Sequence, residues 1–181
     1  KEFKSLLKEI QLLPKKINKI LADSNNIRQI AKKYSNYRDF LYIGRGYGYP
    51  TALEGALKLK EISYIHAEGY AAGKMKHGPL AMIDKDFSTF AIATKSDVTE
   101  KTYSNIEEIK ARKGPVVAIG TKEDKTLPKL ADDVIFIPDT PVQTQPILIA
   151  VVVQLFSYYI AIEKGLNVDR PRNLAKSVTV E

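Results

Sequence analysis

Apolar residues follow two different periods along this chain. Over the first 36 residues they recur at helical spacing: Phe3, Leu6, Leu7 and Ile10, then Ile17, Ile20 and Leu21, then Ile27, Ile30 and Ala31. Leu13-Pro14 is expected to interrupt the first run, and Ser24 is the candidate N-cap for the last. The lysines fall mainly between these positions, on the side a packed helix leaves in water. From Asp39 the pattern changes to short, unbroken apolar runs. Phe40-Leu41-Tyr42-Ile43 leads into Gly44-Arg45-Gly46-Tyr47-Gly48, which reads as a buried strand feeding a glycine turn. A long helix follows from Tyr49-Pro50 to about Ile65, with Pro50 suited to the first helical position. His66–Tyr70 reads as a short extended segment. Further strands are expected at Phe87–Ala93, Pro115–Gly120 and Val134–Ile137, with a polar helix from about Asp97 to Lys113. A last helix, from about Gln145 to Lys164, is closed by Gly165.

Strands alternating with helices predict βαβ units and a parallel sheet covered on both faces. The expected class is therefore α/β: a three-layer α/β/α sandwich with a mostly parallel sheet of about five strands. Three parts are expected: a basic helical segment (1–36), the α/β body (37–165) and a tail (166–181) of little periodicity. Pro146 to Ile162 carries no charge over 17 residues, at the lower limit for spanning a bilayer. It contains Gln154, Ser157 and two tyrosines, and no second such segment exists, so a buried core helix and no membrane partner are expected.

Composition alters this picture in two places. The 181 residues include 28 Lys and Arg against 21 Asp and Glu, a formal charge of +7 that invites an anionic partner. Residues 1–36 account for nearly all of it, with nine basic and three acidic side chains. One arginine stands there among eight lysines, without interleaved aromatics, so a solvated helix face is expected rather than a nucleic-acid site. The absence of cysteine excludes a disulfide scaffold, Cys-ligated zinc and a thiol nucleophile within this sequence, and it fits a reducing, cytoplasmic compartment. No secretory signal is visible at the start. The first residue is Lys1 rather than Met, and the chain is expected to be a piece of something longer.

Candidate chemistry gathers in four places. Gly44, Gly46 and Gly48 stand where backbone N–H groups could meet a phosphate, but Tyr49 replaces the third glycine of a dinucleotide fingerprint and no acidic residue follows at the right distance. A sharp turn with a ligand edge is the expectation, without a cofactor. On the next helix Glu54, Lys58 and Glu61 lie on one face, with Leu53, Ala56, Leu57 and Ile62 around them at core-like spacing. Two readings stay open for that trio: a surface ladder, or a carboxylate base held beside an ammonium group for proton transfer next to a carbonyl or imine. His66 would cap the last carbonyls of the helix. His77 lies in the glycine-flanked loop Gly73-Lys74-Met75-Lys76-His77-Gly78, free to meet a ligand. No His pair at i,i+4 and no carboxylate–His cluster is present, so no metal is expected. Lys176 could form a Schiff base only if the tail folds into a site. No Ser/Thr cluster is apparent after any strand; Thr51 stands alone behind the glycine turn.

Two stretches carry a family resemblance: YPTALEGALKLKEISYIHAEGYAAGKMKHGPLAMID at Tyr49–Asp84, and PRNLAKSVTVE at Pro171–Glu181. Both resemble the isomerase part of the glucosamine-6-phosphate synthase family, the isomerising glutamine–fructose-6-phosphate aminotransferases, in its second, C-terminal sugar isomerase (SIS) domain. The resemblance runs through essentially all of the chain. It implies that fructose 6-phosphate and ammonia become glucosamine 6-phosphate, a precursor in hexosamine synthesis. It implies Glu61 as the base moving a proton between C1 and C2, with Lys58 stabilising charge beside it. His77 is implied in opening the sugar ring at a neighbouring subunit's site, hence a homodimer. Lys176 would form an imine with the ketose carbonyl, with Ala175 and Glu54 as substrate-binding neighbours. The glutaminase domain and the first SIS domain, which supplies a Ser/Thr-rich phosphate loop, have no counterpart here, so the isolated chain is expected to turn over weakly or not at all. The same resemblance makes the basic helices a linker surface between two SIS domains. The alternative is a non-catalytic SIS module that binds a sugar phosphate to regulate a partner.

Overall fold

The unbroken apolar runs become the middle of a parallel sheet. The computed structural model describes residues 2–172. Its strands β1 (Asp39–Gly44), β2 (His66–Ala71), β3 (Phe87–Ile92), β4 (Val116–Thr121) and β5 (Asp133–Ile137) lie in the order β2-β1-β3-β4-β5. Every neighbouring pair is parallel, so the sheet is wholly rather than mostly parallel. Nearly every residue of β1, β3 and β4 is buried, which explains why these strands do not alternate in polarity: both faces are covered.

Helices α1 (Glu2–Ala22), α2 (Ser24–Tyr34), α3 (Gly48–Ser63) and α6 (Gln145–Glu163) share one core cluster with Phe40, Tyr42, Phe90 and Ile92. Helix α4 (Thr99–Lys110), the short α5 (Leu127–Leu130) and 3₁₀ turns at Ala72–His77 and Pro79–Met82 supply the other layer, with Leu41, Ile43, Ala91 and Ala118 from the sheet. This is the three-layer sandwich expected. Among the described residues, α6 is long and apolar enough to cross a membrane by length and composition. It buries Leu148, Val152, Phe156 and Ile160 in the first cluster, as a core helix does.

Several local expectations change. Pro14 does not interrupt α1, which runs unbroken through it. Leu13 and Ile20 are buried and Ile17 packs beside them, and keeping that face continuous outweighs the hydrogen bond the proline cannot donate. Ser24 is the first residue of α2 rather than its cap. With α1 reaching Ala22, only Asp23 separates the helices, and its N–H turns back to the Ile20 carbonyl at 3.1 Å instead of opening into a cap. Pro50 is the third residue of α3, because Gly48 N–H already donates to the Arg45 carbonyl at 2.9 Å and so starts the helix. Gly165 does close α6: it sits at φ 68°, and the Gly165 and Leu166 N–H groups return to the Ile162 and Ala161 carbonyls.

The turn from β1 to α3 leaves no room at its first glycine. A Cβ on Gly44 would lie 2.3 Å from the Gly48 carbonyl oxygen, a backbone atom that cannot rotate away. Gly44→Ala is expected to destabilise the protein by about 1–3 kcal/mol or more, because the strand end and the helix start must separate. Urea unfolding measures this directly as a lower midpoint at unchanged slope.

Candidate functional site

Helix α3 presents its small residues to the sheet and its reactive ones outward. Ala52, Ala56 and Leu59 are buried, and a Cβ on Gly55 would lie 2.6 Å from the Tyr42 ring, so the helix rests very close to β1. Leu53 and Leu57, expected near the core from their spacing, are each 44% exposed, and a Cβ on Gly69 of β2 would lie 2.8 Å from Leu53 Cα. Alongside them Lys58 Nζ donates to Glu61 Oε2 at 2.6 Å, with the two side chains 32% and 22% exposed. The pairing is i,i+3. Glu54 does not join it by a hydrogen bond; its Oε1 accepts from Gln154 Nε2 of α6 at 3.3 Å. The Lys58 ammonium is held above its ordinary pKa, first by the Glu61 hydrogen bond, against partial burial, and then by the charges of Glu61 and Glu54. The result is a fixed cation touching an accessible carboxylate, a pair able to accept a carbon-bound proton and stabilise a neighbouring developing oxyanion.

The other predicted residues are distributed differently. His66 does not cap α3; it opens β2, with Nδ1 2.9 Å from Asp39 Oδ1 and Nε2 3.4 Å from Glu68 Oε1. The cap position belongs to Tyr64, at φ 59°, whose N–H meets the Lys60 carbonyl at 3.2 Å. His77 ends the 3₁₀ turn Ala72–His77 rather than lying in an open loop, and is exposed. Ala72 and Met75 of that turn pack into the second core cluster, whereas α3 packs into the first. The sheet therefore separates His77 from Lys58 and Glu61. Next to it, Lys76 Nζ is paired with Glu108 Oε1 at 2.7 Å. Ala175 and Lys176 lie outside the described residues. No group of three or more His, Asp or Glu that could hold a metal ion occurs among the described residues.

Tyr64 was not signalled by the sequence, where nothing local distinguishes it from the chain's other tyrosines. Its hydroxyl accepts the Arg172 backbone N–H at 2.9 Å, and the Arg172 guanidinium lies 4.0 Å from the centre of its ring.

A concavity opens at the C-terminal ends of β1 and β3, where the strand order reverses and ligands of open α/β sheets usually bind. It encloses about 670 Å³ between Arg45–Gly48, Thr94–Val98 and Gln145, and it contains neither Lys58 nor Glu61. The expectation that no Ser/Thr cluster follows a strand is corrected here: Thr94, Ser96 and Thr99 follow β3 directly. Their hydroxyls are engaged internally. Thr94 Oγ1 donates to Gln145 Oε1 at 2.7 Å, Thr99 Oγ1 accepts the Ser96 N–H at 2.7 Å, and Ser96 Oγ faces the Val98 N–H at 3.4 Å. Arg45 is held by Asn105 Oδ1 at 2.9 Å, and Asp97 and Asp139 line the same space. A loop whose threonine hydroxyls are tied to one another's neighbours and whose rim carries carboxylates is less open to a phosphate than a free hydroxyl cluster.

Comparison with known proteins agrees with the fold and extends it. The chain is 49% identical over 181 residues, its whole length, to the isomerizing glutamine–fructose-6-phosphate aminotransferase of Thermotoga maritima. It is 52% identical over 180 residues to that of Chlorobaculum tepidum. The chain spans only 30% and 29% of the lengths of these relatives. Among solved structures, the C-terminal domain of glucosamine-fructose-6-phosphate aminotransferase from Francisella tularensis superposes with a TM-score of 0.81 at 36% identity, over 92% of this chain and 46% of that one. Tagatose-6-phosphate ketose/aldose isomerase from Escherichia coli, at 17% identity, shares the fold with a TM-score of 0.73 over 92% of this chain and 46% of its own. The SIS domain family matches residues 33–164, which takes in all five strands and the helices α3 to α6. With that match joined to a parallel sheet of the same architecture, the chain belongs to the SIS domain family.

Proposed function

We propose that this chain is the C-terminal isomerase domain of a glutamine–fructose-6-phosphate aminotransferase, acting in the conversion of fructose 6-phosphate and ammonia to glucosamine 6-phosphate. The observation that carries the proposal is the 2.6 Å Lys58–Glu61 pair on the accessible side of α3, in a chain whose full length aligns with such enzymes. Lys176 attacks the C2 carbonyl of the open ketose, and water leaves as the imine forms. Ammonia then displaces the lysine, leaving the imine of ammonia at C2. Glu61 removes a proton from C1 while the imine nitrogen gains one, giving an enolamine. Return of a proton to C2 and loss of the O1 proton produce the aldehyde and the C2 amine, with Lys58 stabilising O1 as its charge grows.

A regulatory module without catalysis would have no use for a carboxylate base beside a lysine. The committed hydroxyls of the Thr94–Thr99 loop support the view that the substrate phosphate is held by a part of the polypeptide beyond this chain. His77, on the opposite face of the sheet from Glu61, suits action at the site of a second copy, and we take the working unit as a homodimer.

Borohydride reduction of the full-length protein with fructose 6-phosphate tests the imine. A hexitol phosphate adduct is expected on Lys176 by peptide mass, and Lys176→Arg should abolish it. An adduct forming equally well in the arginine variant overturns the assignment.

A further inference from the structure

We propose that Asn105 is a positioning residue, the centre of a brace by which helix α4 fixes the 3₁₀ turn that presents His77. The inference rests on the role proposed above for His77 at the site of a second copy. Asn105 is 5% exposed, and its side-chain amide is used from both ends. Oδ1 accepts from Arg45 Nη2 at 2.9 Å and Nε at 3.3 Å, and Nδ2 donates to Glu108 Oε2 at 3.3 Å, one turn further along the helix. Each partner then grips the turn Ala72–His77. The guanidinium of Arg45, from the glycine turn after β1, lies against Gly73, where a Cβ would be 3.1 Å from Nη1. Glu108 Oε1 takes Lys76 Nζ at 2.7 Å, one residue before His77. The Glu108 carboxyl is held below its ordinary pKa, first by the Lys76 hydrogen bond, against partial burial, and then by Asn105.

Between these two grips Met75 is fully buried, in the same core cluster as Ile106 and Ile109 of α4. The turn is thus held at residues 73, 75 and 76, and each hold traces back to α4. His77 is exposed, so its imidazole is placed only as well as the backbone beneath it. Directly after it Gly78 stands at φ 141°, a conformation nearly reserved for glycine, and the chain leaves into Pro79. An imidazole that acts across a subunit boundary needs a fixed carrier, since a misplacement of about 1 Å can cost about 10²-fold in rate. Met75 sets the depth of the turn, and the polar holds set its direction, because hydrogen bonds are directional and apolar burial is not. Asn105 supports both polar holds at once, so its loss releases the two together.

The test uses the full-length protein with Asn105→Leu, Glu108→Gln and His77→Asn. Two quantities are read: amide hydrogen exchange of residues 72–78, with β4 as internal reference, and kcat and KM for glucosamine 6-phosphate formation. Asn105→Leu is expected to speed exchange of the turn about 5- to 30-fold, the effect of leaving its partners unpaired, with β4 unchanged. Glu108→Gln, whose partner Lys76 is exposed, should give about 2- to 5-fold. In both variants kcat should fall by similar factors while KM stays within about twofold, because the turn acts on sugar already bound. Added to His77→Asn, Asn105→Leu should cost no further activity, since it acts through the histidine. Unchanged turn exchange in Asn105→Leu, or exchange that rises equally in β4, overturns the brace. Should that variant fail to fold, Glu108→Gln decides by the same criteria. An undiminished kcat in Asn105→Leu where His77→Asn lowers it, or full additivity of the two, overturns the positioning role. If His77→Asn leaves turnover unchanged while turn exchange responds to Asn105, the role assigned to His77 falls and the brace stands.

Discussion

Glu61→Gln is expected to lower glucosamine 6-phosphate formation by the full-length protein about 10²–10⁴-fold, the range for removing a positioned general base. The replacement has the same shape, and its amide oxygen can still accept from Lys58 Nζ, so the site should keep its geometry. What disappears is the capacity to take a proton from carbon. The fold should not respond: Glu61 is partly exposed, and its described hydrogen bond is the one with Lys58. A stability change within about 0.5 kcal/mol is expected. Borohydride trapping at Lys176 should continue, because imine formation precedes the proton transfer assigned to Glu61. Turnover within tenfold of the wild type would place the base elsewhere.

The largest stability effect is expected at Phe156. Its ring stands 4.8 Å from that of Phe90, 6.1 Å from Phe40 and 6.4 Å from Tyr34, so one side chain of α6 joins β3, β1 and α2. Phe156→Ala should cost about 3–5 kcal/mol, combining the lost transfer free energy with a cavity among rings that cannot all collapse inward. For a chain of this size the melting temperature should fall by roughly 6–20 °C. A fall of only a degree or two would mean that α6 repacks freely, and that the aromatic cluster does not hold the layer against the sheet.

The basic excess acquires a clearer meaning from the fold. Two of the cations in residues 1–36 face carboxylates elsewhere, Lys33 meeting Asp133 at 2.5 Å and Arg28 meeting Glu163 at 3.2 Å, while Lys16 pairs with Glu9 within the segment and reaches the Asp139 carbonyl at 2.7 Å. Exposed pairs of this kind contribute little to stability, about 0–1 kcal/mol each. They do orient α1 and α2 on the body, and part of the charge that suggested an anionic partner is spent inside the molecule.

Strands β1, β3 and β4 were legible because both faces of the sheet are covered there. Only an apolar run survives at such positions, and glycine marks the end of β1. Helix α3 was legible as an element but not as a site, because Glu54, Lys58 and Glu61 satisfy the spacing rules of a surface ladder and of a proton-transfer face equally well. The structure sends Glu54 to Gln154 and leaves Lys58 on Glu61, an arrangement that supports the proton-transfer reading proposed here. The Thr94–Thr99 loop was overlooked because its hydroxyls are scattered through a charged segment. Its character came from Gln145, more than forty residues away, which ties it shut. Tyr64 escaped for the same reason: its partner Arg172 is 108 positions along the chain.

By itself, then, the sequence determined what depends on neighbours along the chain: the apolar runs, the glycine that admits a tight turn, the carboxylate and lysine one helical turn apart, and the two family stretches. Tertiary structure decided everything that depends on residues remote in the chain and near in space. It placed β1 between β2 and β3, put His77 and Glu61 on opposite faces of the sheet, kept α1 continuous through Pro14 because its apolar face was already committed to the core, and brought Arg172 to Tyr64. Local pattern records which side of an element is apolar. Which surface that side meets is settled only when the whole chain packs, and the chemistry of this domain lies in those meetings.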